Sequence, residues 1–204
     1  MEVPRPGMKI LIFSDIHNDL NALERVMAIE ADCYIAAGDL ATMGRGLERC
    51  GEVMRPRAAR TWVMPGNNES AFQIKQFCAE FGFRNFHCTS FEVAGHHLAG
   101  LGYSNLTPFN TPGEYTEAEI AERLEPFAAL KPLVLISHCP PLGTAVDRAG
   151  EGKHFGSSAV RDFVAESQPR YCFCGHVHES EGVETKIGDC LAINVGKRGY
   201  LLEL

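Results

Sequence analysis

Short apolar runs alternate along this chain with longer stretches in which apolar residues recur every three or four positions. The short runs are typical of buried strands, and the longer stretches are typical of amphipathic helices. The apolar runs predict strands at residues 9–14, 33–37, 61–64, 133–136, 171–174, 182–186, 190–194 and 200–204, with a hairpin at 91–93 and 97–101. The amphipathic stretches predict helices at residues 21–31, 46–54, 70–81, 116–130 and 157–166. The alternation of strands and helices indicates a layered α/β fold.

Two segments between these elements are rich in glycine, proline and small polar residues. They cover residues 103–115 and 140–156 and predict long loops. Long loops within compact domains are often functional. We therefore expect both loops to shape a pocket, with Tyr103 and Phe109 as candidate substrate contacts.

The length and hydropathy of the chain indicate one globular domain. A chain of 204 residues is long enough for one sizeable core, so we expect a single domain over residues 1–204. Its longest apolar runs fall short of the roughly 20 residues that a membrane helix needs. Residues 1–7 lack the basic region and long apolar run of a signal peptide. We expect a cytoplasmic protein that does not associate with membranes.

The formal net charge of the chain is -7. An acidic balance disfavours broad binding to nucleic acid or to anionic lipid, because both reward a basic surface. A small phosphorylated substrate remains compatible with this charge, since a bound metal ion dominates the local field whatever the net charge is.

The chain contains eight cysteines but no C-x-x-C pair. Their spacing supports neither a zinc site nor a disulfide framework. Several lie in apolar runs, including Cys172 and Cys174 in Tyr-Cys-Phe-Cys. Buried free thiols in a reducing compartment are therefore the expected state.

Five polar clusters each follow directly on an apolar run. The clusters are Asp15-Ile16-His17, Gly38-Asp39, Gly66-Asn67-Asn68-Glu69, His138 and Gly175-His176-Val177-His178. In open α/β sheets, ligands bind just beyond the carboxyl ends of the strands. Five clusters in such positions are able to converge on one site.

Histidine, carboxylate and amide groups in these clusters suit borderline divalent metals, and no cluster requires a thiolate. Asp15 and His17 are two residues apart, as are His176 and His178, and such side chains point the same way in extended chain. Isolated histidines are more often surface or core residues than ligands, and we place four in that class: His87, His96, His97 and His154.

At these clusters the chain resembles the calcineurin-like metallophosphoesterases. The pattern of that family runs D-x-H, G-D, G-N-H-D/E, H and G-H-x-H, and each element has a counterpart here between residues 15 and 178. The small size of the chain is similar to that of the compact bacterial and archaeal phosphodiesterase branch. The resemblance implies a four-layer α/β/β/α sandwich with the metals at the strand ends.

The resemblance also implies a dinuclear metal centre of seven ligands. Asp15, His17 and His178 would hold the first metal, and Asp39 would bridge both. The second metal would take the remaining three ligands: Asn67, His138 and His176. A hydroxide between the two ions would attack phosphorus. The ions are divalent, with manganese, iron, zinc, nickel and cobalt all open.

One position departs from the family pattern. Asn68 stands where the family has a histidine that is thought to protonate the leaving group or to steady the phosphate. Asparagine hydrogen-bonds but cannot serve as a general acid at neutral pH. The sequence therefore predicts a site with weak acid assistance. His154 in the 140–156 loop is a candidate substitute donor, with a plain surface-loop histidine as the alternative.

The resemblance leaves several functions open. Hydrolysis of small phosphodiesters is the leading interpretation, and a phosphomonoesterase is its nearest rival. A metal-binding scaffold for protein interaction is a third, although a degraded scaffold should have lost some of the seven ligands. A nuclease is disfavoured by the acidic balance and by the lack of a basic and aromatic stripe. The expected partner is a small phosphorylated substrate, and the oligomeric state is open.

Overall fold

The computed structural model describes residues 7–204. Residues 1–6, where we expect no signal peptide, lie outside the described part of the chain. The first elements are β1 (Lys9–Phe13), α1 (Leu20–Met27), β2 (Cys33–Ala37), α2 (Leu47–Met54), β3 (Thr61–Met64), α3 (Ala71–Phe81) and β4 (Arg84–Asn85). The next are β5 (Thr89–Val93), β6 (His96–Leu101), β7 (Ser104–Asn105), β8 (Glu114–Tyr115) and α4 (Glu117–Leu124). The last are β9 (Leu133–Ser137), β10 (Arg148–Ala149), β11 (Lys153–His154), α5 (Ser158–Ser167), β12 (Tyr171–Cys174), β13 (Glu184–Ile187), β14 (Cys190–Asn194) and β15 (Tyr200–Glu203).

Two mixed sheets form the centre of the molecule. The first has the order β15-β1-β2-β3-β4, in which β1 to β4 are parallel and β15 is antiparallel to β1. The second has the order β13-β14-β12-β9-β6-β5, with four parallel central strands and an antiparallel strand at each edge. The parallel strands of each sheet therefore end at one edge, where the polar clusters follow them.

Three apolar clusters hold the sheets and helices in four layers. Between the sheets, Ile12 and Ile35 belong to the same buried cluster as Ile136 and Phe173. A second cluster joins the outer face of the first sheet to α1, α2 and α3, and a third joins the outer face of the second sheet to α4 and α5. Because both faces of the central strands are buried, they read as uninterrupted apolar runs. The predicted α/β/β/α sandwich is confirmed.

Helix α4 begins as predicted and ends earlier than predicted. Thr116 and Glu119 form the expected capping box at its start. The α-helix ends at Leu124 instead of residue 130, and a short 3-10 turn at Glu125–Phe127 follows. Pro126 has no N–H to continue the helical hydrogen bonds, so the chain tightens there. In the described residues no helix is long and apolar enough to cross a membrane.

Helix α1 is also shorter than the predicted span of 21–31, because it ends at Met27. The residues that follow bond to a side chain instead of extending the helix. The Tyr34 hydroxyl donates to the carbonyl of Ile29 at 2.9 Å and accepts from the N–H of Ala31 at 3.1 Å. A buried strand residue thus sets the end of the preceding helix.

Both predicted loops contain short strand pairs. In the 103–115 loop, β7 pairs with β8 in parallel, and in the 140–156 loop β10 pairs with β11 antiparallel. These pairs give each loop internal hydrogen bonds, so neither is structureless.

All eight cysteines are free, as expected. Seven are buried, and Cys88 is the exception. Cys88 is exposed in the turn between β4 and β5 and has a positive φ of 53°. The expectation of burial is therefore wrong for this one thiol.

Candidate metal centre

The loops that follow five strands meet at one end of the two sheets. They follow β1, β2 and β3 of the first sheet and β9 and β12 of the second. Backbone hydrogen bonds join them, from Asp15 N to Gly38 O at 3.1 Å and from Gly175 N to His138 O at 3.1 Å. The structure brings together all seven residues that the sequence predicts as metal ligands.

The first group of side chains contains Asp15, His17 and His178. Nε2 of His17 lies 2.9 Å from Nε2 of His178. Oδ1 of Asp15 lies 3.5 Å from the His178 nitrogen and 3.9 Å from the His17 nitrogen. One ligand atom from each residue lies within 4.8 Å of the others, a spacing that suits a shared metal ion.

The second group is centred on the amide oxygen of Asn67. This Oδ1 lies 3.2 Å from Nε2 of His138 and 2.9 Å from Nδ1 of His176. All three groups offer atoms that bind divalent ions. They are the three side chains that the resemblance assigns to the second metal, and that assignment stays a prediction.

Asp39 lies between the two groups. Its Oδ2 is 3.5 Å from Nε2 of His17 in the first group and 3.6 Å from Nε2 of His138 in the second. Asp15 also approaches the second group, since it shares a set of close ligand atoms with Asp39 and His138. Asp39 thus faces both groups, as a bridging ligand would, with Asp15 close beside it.

At the centre, several residues adopt backbone conformations that residues other than glycine seldom adopt. Positive φ angles occur at Asp15, 57°, Asp39, 54°, and His176, 68°. Such conformations cost free energy and concentrate at functional sites. Position 66 accepts only glycine, because the Cβ of any other residue would overlap the carboxylate of Asp39.

The buried carboxylates create a field that favours positive charge at the centre. Burial works against an imidazolium at His138, but the charges of Asp39 and Asp15 and a hydrogen bond to Asp39 outweigh it and raise the pKa of His138 to about 9. Burial lowers the pKa of His176 to about 4 and keeps its nitrogens free of a second proton. A centre of two carboxylates, one amide oxygen and four imidazoles fits divalent cations well.

Two sets of hydrogen bonds orient side chains of the centre. Nδ1–H of His138 donates to the carbonyl of Ala37 at 2.9 Å, so that Nε2 faces inward. The N–H of His176 donates to both carboxylate oxygens of Asp15, at 3.1 and 3.0 Å. Hydrogen bonds of this kind set the tautomer and the orientation of metal ligands.

Two supporting residues were not predicted. The fully buried carboxylate of Glu69 accepts hydrogen bonds from three backbone N–H groups: Asp39 at 3.1 Å, Ala41 at 2.8 Å and Gly66 at 2.9 Å. The only sequence feature that could have indicated a role for Glu69 is its position in the third polar cluster. Thr111 accepts a hydrogen bond of 3.2 Å from Nδ2 of Asn67 across 44 positions of sequence, and no local pattern indicated it.

Asn68 lies beside the centre and contacts Asp39. Its Nδ2 donates to Oδ2 of Asp39 at 2.7 Å, and its own N–H donates to Oδ1 at 2.8 Å. Its side-chain oxygen accepts from the N–H of Met43 at 3.1 Å. Both ends of the amide are therefore engaged.

His154 has partners other than the centre. Its Nδ1 lies 2.7 Å from Oδ1 of the fully buried Asp147. It lines a cavity of about 360 Å³ with residues of its own loop, α5 and β13, and none of the seven clustered residues lines that cavity. Within the described residues 7–204, His154 makes no contact with the centre. Its role as a proton donor therefore stays a prediction.

The two candidate substrate contacts lie in different surroundings. The hydroxyl of Tyr103 accepts from the N–H of Ala71 at 2.7 Å, at the start of α3. Phe109 is 78 % exposed in the 103–115 loop. Their contact with substrate also stays a prediction.

Comparisons with known proteins agree with this geometry. The sequence model described as calcineurin-like phosphoesterase matches residues 8–180. A Methanocaldococcus jannaschii protein named Uncharacterized protein MJ1162 is 32 % identical in an alignment 202 residues long, and the match covers 96 % of this chain and 91 % of the relative.

Solved structures share the fold. The crystal structure of TT1561 from Thermus thermophilus has a TM-score of 0.72 at 17 % identity, covering 97 % of this chain and 99 % of that one. The phosphopantetheinyl hydrolase PptH from Mycobacterium tuberculosis has a TM-score of 0.72 at 14 % identity, covering 94 % and 89 %. At such low identity these two likenesses concern the fold alone.

Proposed function

The chain belongs to the calcineurin-like phosphoesterase family, and from that premise we propose that it hydrolyses small phosphodiesters with two divalent metal ions. The proposal gives the first ion to Asp15, His17 and His178 and makes Asp39 the bridge. It gives the second ion to three further residues: Asn67, His138 and His176. The convergence of these side chains at the strand ends supports it.

Hydrogen bonds within the chain fix the orientation of two of the proposed ligands. Asp15 accepts two hydrogen bonds from the N–H of His176, and His138 is anchored to the carbonyl of Ala37. When bound, a pair of divalent ions would supply an activated water and neutralise charge on the phosphoryl oxygens. The chain keeps these ligands oriented, and, although burial opposes it, the histidines nearby lower the pKa of Asp15 and Asp39, so that both stay ionised.

The observation that carries the diester preference is the environment of Asn68. Its amide is held between Asp39 and the N–H of Met43, and it has neither a transferable proton nor a positive charge. A dianionic monoester gains more from a cationic residue at this position than a monoanionic diester does. A neutral amide therefore favours the diester.

One panel of assays tests the proposal. Metal-free protein is loaded separately with manganese, iron, zinc, nickel or cobalt. Each form is assayed with a chromogenic phosphodiester, the matching phosphomonoester, and 2′,3′- and 3′,5′-cyclic nucleotides. We expect faster turnover of diesters than of the monoester with at least one ion.

Two outcomes of this panel contradict the proposal. Faster hydrolysis of the monoester would make the protein a phosphomonoesterase. An absence of turnover with every ion, in protein that binds metal, would favour a non-catalytic scaffold. A Phe72→Ala variant, altered at an exposed residue of α3, is purified, loaded with metal and assayed in parallel as the control for losses during preparation.

We also propose that the chain acts as a single domain in the cytoplasm. The eight free thiols support a reducing compartment. Thiol titration of protein denatured without reductant, directly after cell lysis under nitrogen, should find all eight reduced. Disulfide formation in the native source would contradict this location.

A further inference from the structure

The side chain of Asn67 has two ends with different chemistry. Its carbonyl oxygen can bind a metal ion, whereas its NH₂ group cannot. The two ends have nearly the same shape, so packing alone selects weakly between them. In the structure the oxygen faces His138 and His176, at 3.2 and 2.9 Å. The contacts of the NH₂ end also bear on this orientation.

The NH₂ end contacts the 103–115 loop. Nδ2 of Asn67 donates to Oγ1 of Thr111 at 3.2 Å. A hydroxyl both donates and accepts, so this contact by itself would tolerate a flipped amide. The orientation then depends on where the proton of the Thr111 hydroxyl points.

Glu114 determines the direction of that proton. Its Oε1 accepts from Oγ1 of Thr111 at 2.5 Å and from the N–H of Thr111 at 2.8 Å, and it also accepts from Oγ1 of Thr107 at 2.5 Å. Burial opposes ionisation of this carboxyl, but the hydrogen bonds from Thr107 and Thr111 outweigh it and lower the pKa of Glu114. An ionised carboxylate only accepts, so the Thr111 proton is directed to Glu114 and only a lone pair faces Asn67. A flipped amide would set oxygen against oxygen.

The main chain adds a second connection at the same place. The N–H of Gly113 donates to the backbone carbonyl of Asn67 at 2.9 Å, and the N–H of Ser104 donates to the carbonyl of Gly113 at 3.1 Å. A Cβ at Gly113 would meet the carbonyl oxygen of Gly66 at 2.5 Å. The loop therefore lies directly against the backbone of the third strand-end cluster.

We propose that Thr111 and Glu114 form a positioning pair that keeps the oxygen of Asn67 turned toward the second metal site and couples the 103–115 loop to metal binding there. The inference rests on the two-metal site of the proposed function and is independent of its substrate. Coupling is reciprocal, so the loop strengthens metal binding and a bound metal stabilises the loop.

Metal titration of matched variants tests the pair. Thr111→Val keeps the shape of the side chain and removes the acceptor. We expect it to lower the affinity for the second equivalent of Mn²⁺ by about 10–100-fold, the usual effect of losing a contact that orients a ligand. The first equivalent, on Asp15, His17 and His178, should bind as in the wild type. Isothermal titration calorimetry of metal-free protein measures both equivalents.

Two further variants separate positioning from general loop stability. Thr111→Ser retains the hydroxyl and should bind both equivalents nearly as the wild type does. Thr107→Val is the control for loop stability, because Thr107 bonds to Glu114 but not to Asn67, and Glu114 keeps both hydrogen bonds from Thr111 in this variant. It should leave the second affinity within a few-fold of the wild type.

Hydrogen exchange gives a readout of loop stability without activity. The amide of Gly113 should exchange more slowly when Mn²⁺ is added to the wild type and to Thr107→Val. In Thr111→Val the added metal should slow this exchange less than in the wild type, because only the main-chain bond from Gly113 to Asn67 remains.

The possible failures are distinct. Wild-type protein that binds a single equivalent would overturn the two-metal site and the positioning pair together. Two equivalents in the wild type with unchanged affinities in Thr111→Val would overturn the positioning pair alone. Equal losses in Thr107→Val and Thr111→Val would assign the effect to loop stability and would also overturn it.

Discussion

Asn68 donates hydrogen bonds to both carboxylate oxygens of Asp39, from Nδ2 to Oδ2 at 2.7 Å and from its backbone N–H to Oδ1 at 2.8 Å. Oδ2 is also the oxygen nearest to His17 and His138. The residue at the position of the family histidine therefore restrains the proposed bridging ligand. Replacing Asn68 tests acid assistance and the placement of Asp39 together.

Asn68→His should restore acid assistance. We expect faster hydrolysis of diesters whose alcohol is a poor leaving group, with a rate increase approaching the roughly 10²–10⁴-fold that general acid catalysis supplies. Diesters with easily departing phenols should change little. The measurement is kcat across leaving groups of different pKa, with metal content determined in parallel because Asn68 contacts Asp39. The same dependence on the leaving group in both proteins would contradict weak acid assistance.

Asp39→Asn should weaken both metal sites together. The substitution removes the negative charge that faces His17 and His138 and replaces one oxygen by an NH₂ group that cannot bind metal. Metal content after dialysis, measured by atomic spectroscopy, checks this. His178→Gln is the comparison, since it should weaken the first site and spare the second. Retention of two ions in Asp39→Asn would rule out the bridging role.

Glu69→Gln should destabilise the fold by about 1–3 kcal/mol, the usual cost of leaving a buried hydrogen-bonding group unsatisfied. Each oxygen of Glu69 accepts at least one backbone N–H, so a glutamine amide would face an N–H donor in either orientation. Urea unfolding measures the change. Glu80→Gln, on the exposed face of α3, is the control and should shift stability by about 0.5 kcal/mol or less. Equal stability of the two variants would contradict the role of Glu69.

The protein should lose stability as the pH falls from 6.5 to about 4, in part through His87. Burial, with a smaller contribution from Arg123, lowers the pKa of His87 to about 4. Its Nδ1 accepts from Gly102 N at 3.1 Å, and its Nε2 lies 3.1 Å from the Tyr115 hydroxyl, which suits the neutral ring. Within this window the unfolded chain binds a proton that the folded protein does not, so unfolding is favoured as pH falls.

His87→Gln should flatten this dependence, because glutamine accepts and donates like the neutral imidazole but does not titrate. The two proteins should diverge by up to about 3 kcal/mol between pH 6.5 and 4, from 1.36 kcal/mol for each unit of pKa. Urea unfolding of the metal-free proteins at several pH values measures the difference. Parallel curves for the two proteins would assign the acid sensitivity to other groups.

Much of the fold and of the candidate site follows from local sequence. A short, uninterrupted apolar run is typical of a central strand that is buried on both faces, and such runs predicted β1, β2, β3, β9 and β12. Parallel strands end at one edge, so the order of the clusters from Asp15 to His178 predicted their convergence. The types of ligand are likewise visible, because imidazole and carboxylate chemistry does not depend on the fold.

Only the tertiary structure decided which distant groups meet. The contact of Asn67 with Thr111 spans 44 positions and that of His138 with Ala37 spans 101, and packing of the loops and sheets creates both. The end of α1 depends on Tyr34 in the next strand. His154 illustrates the converse, since its sequence position near His138 did not bring it to the centre. Ligand types are local chemistry, whereas the hydrogen bonds that orient them arise when separate segments pack together.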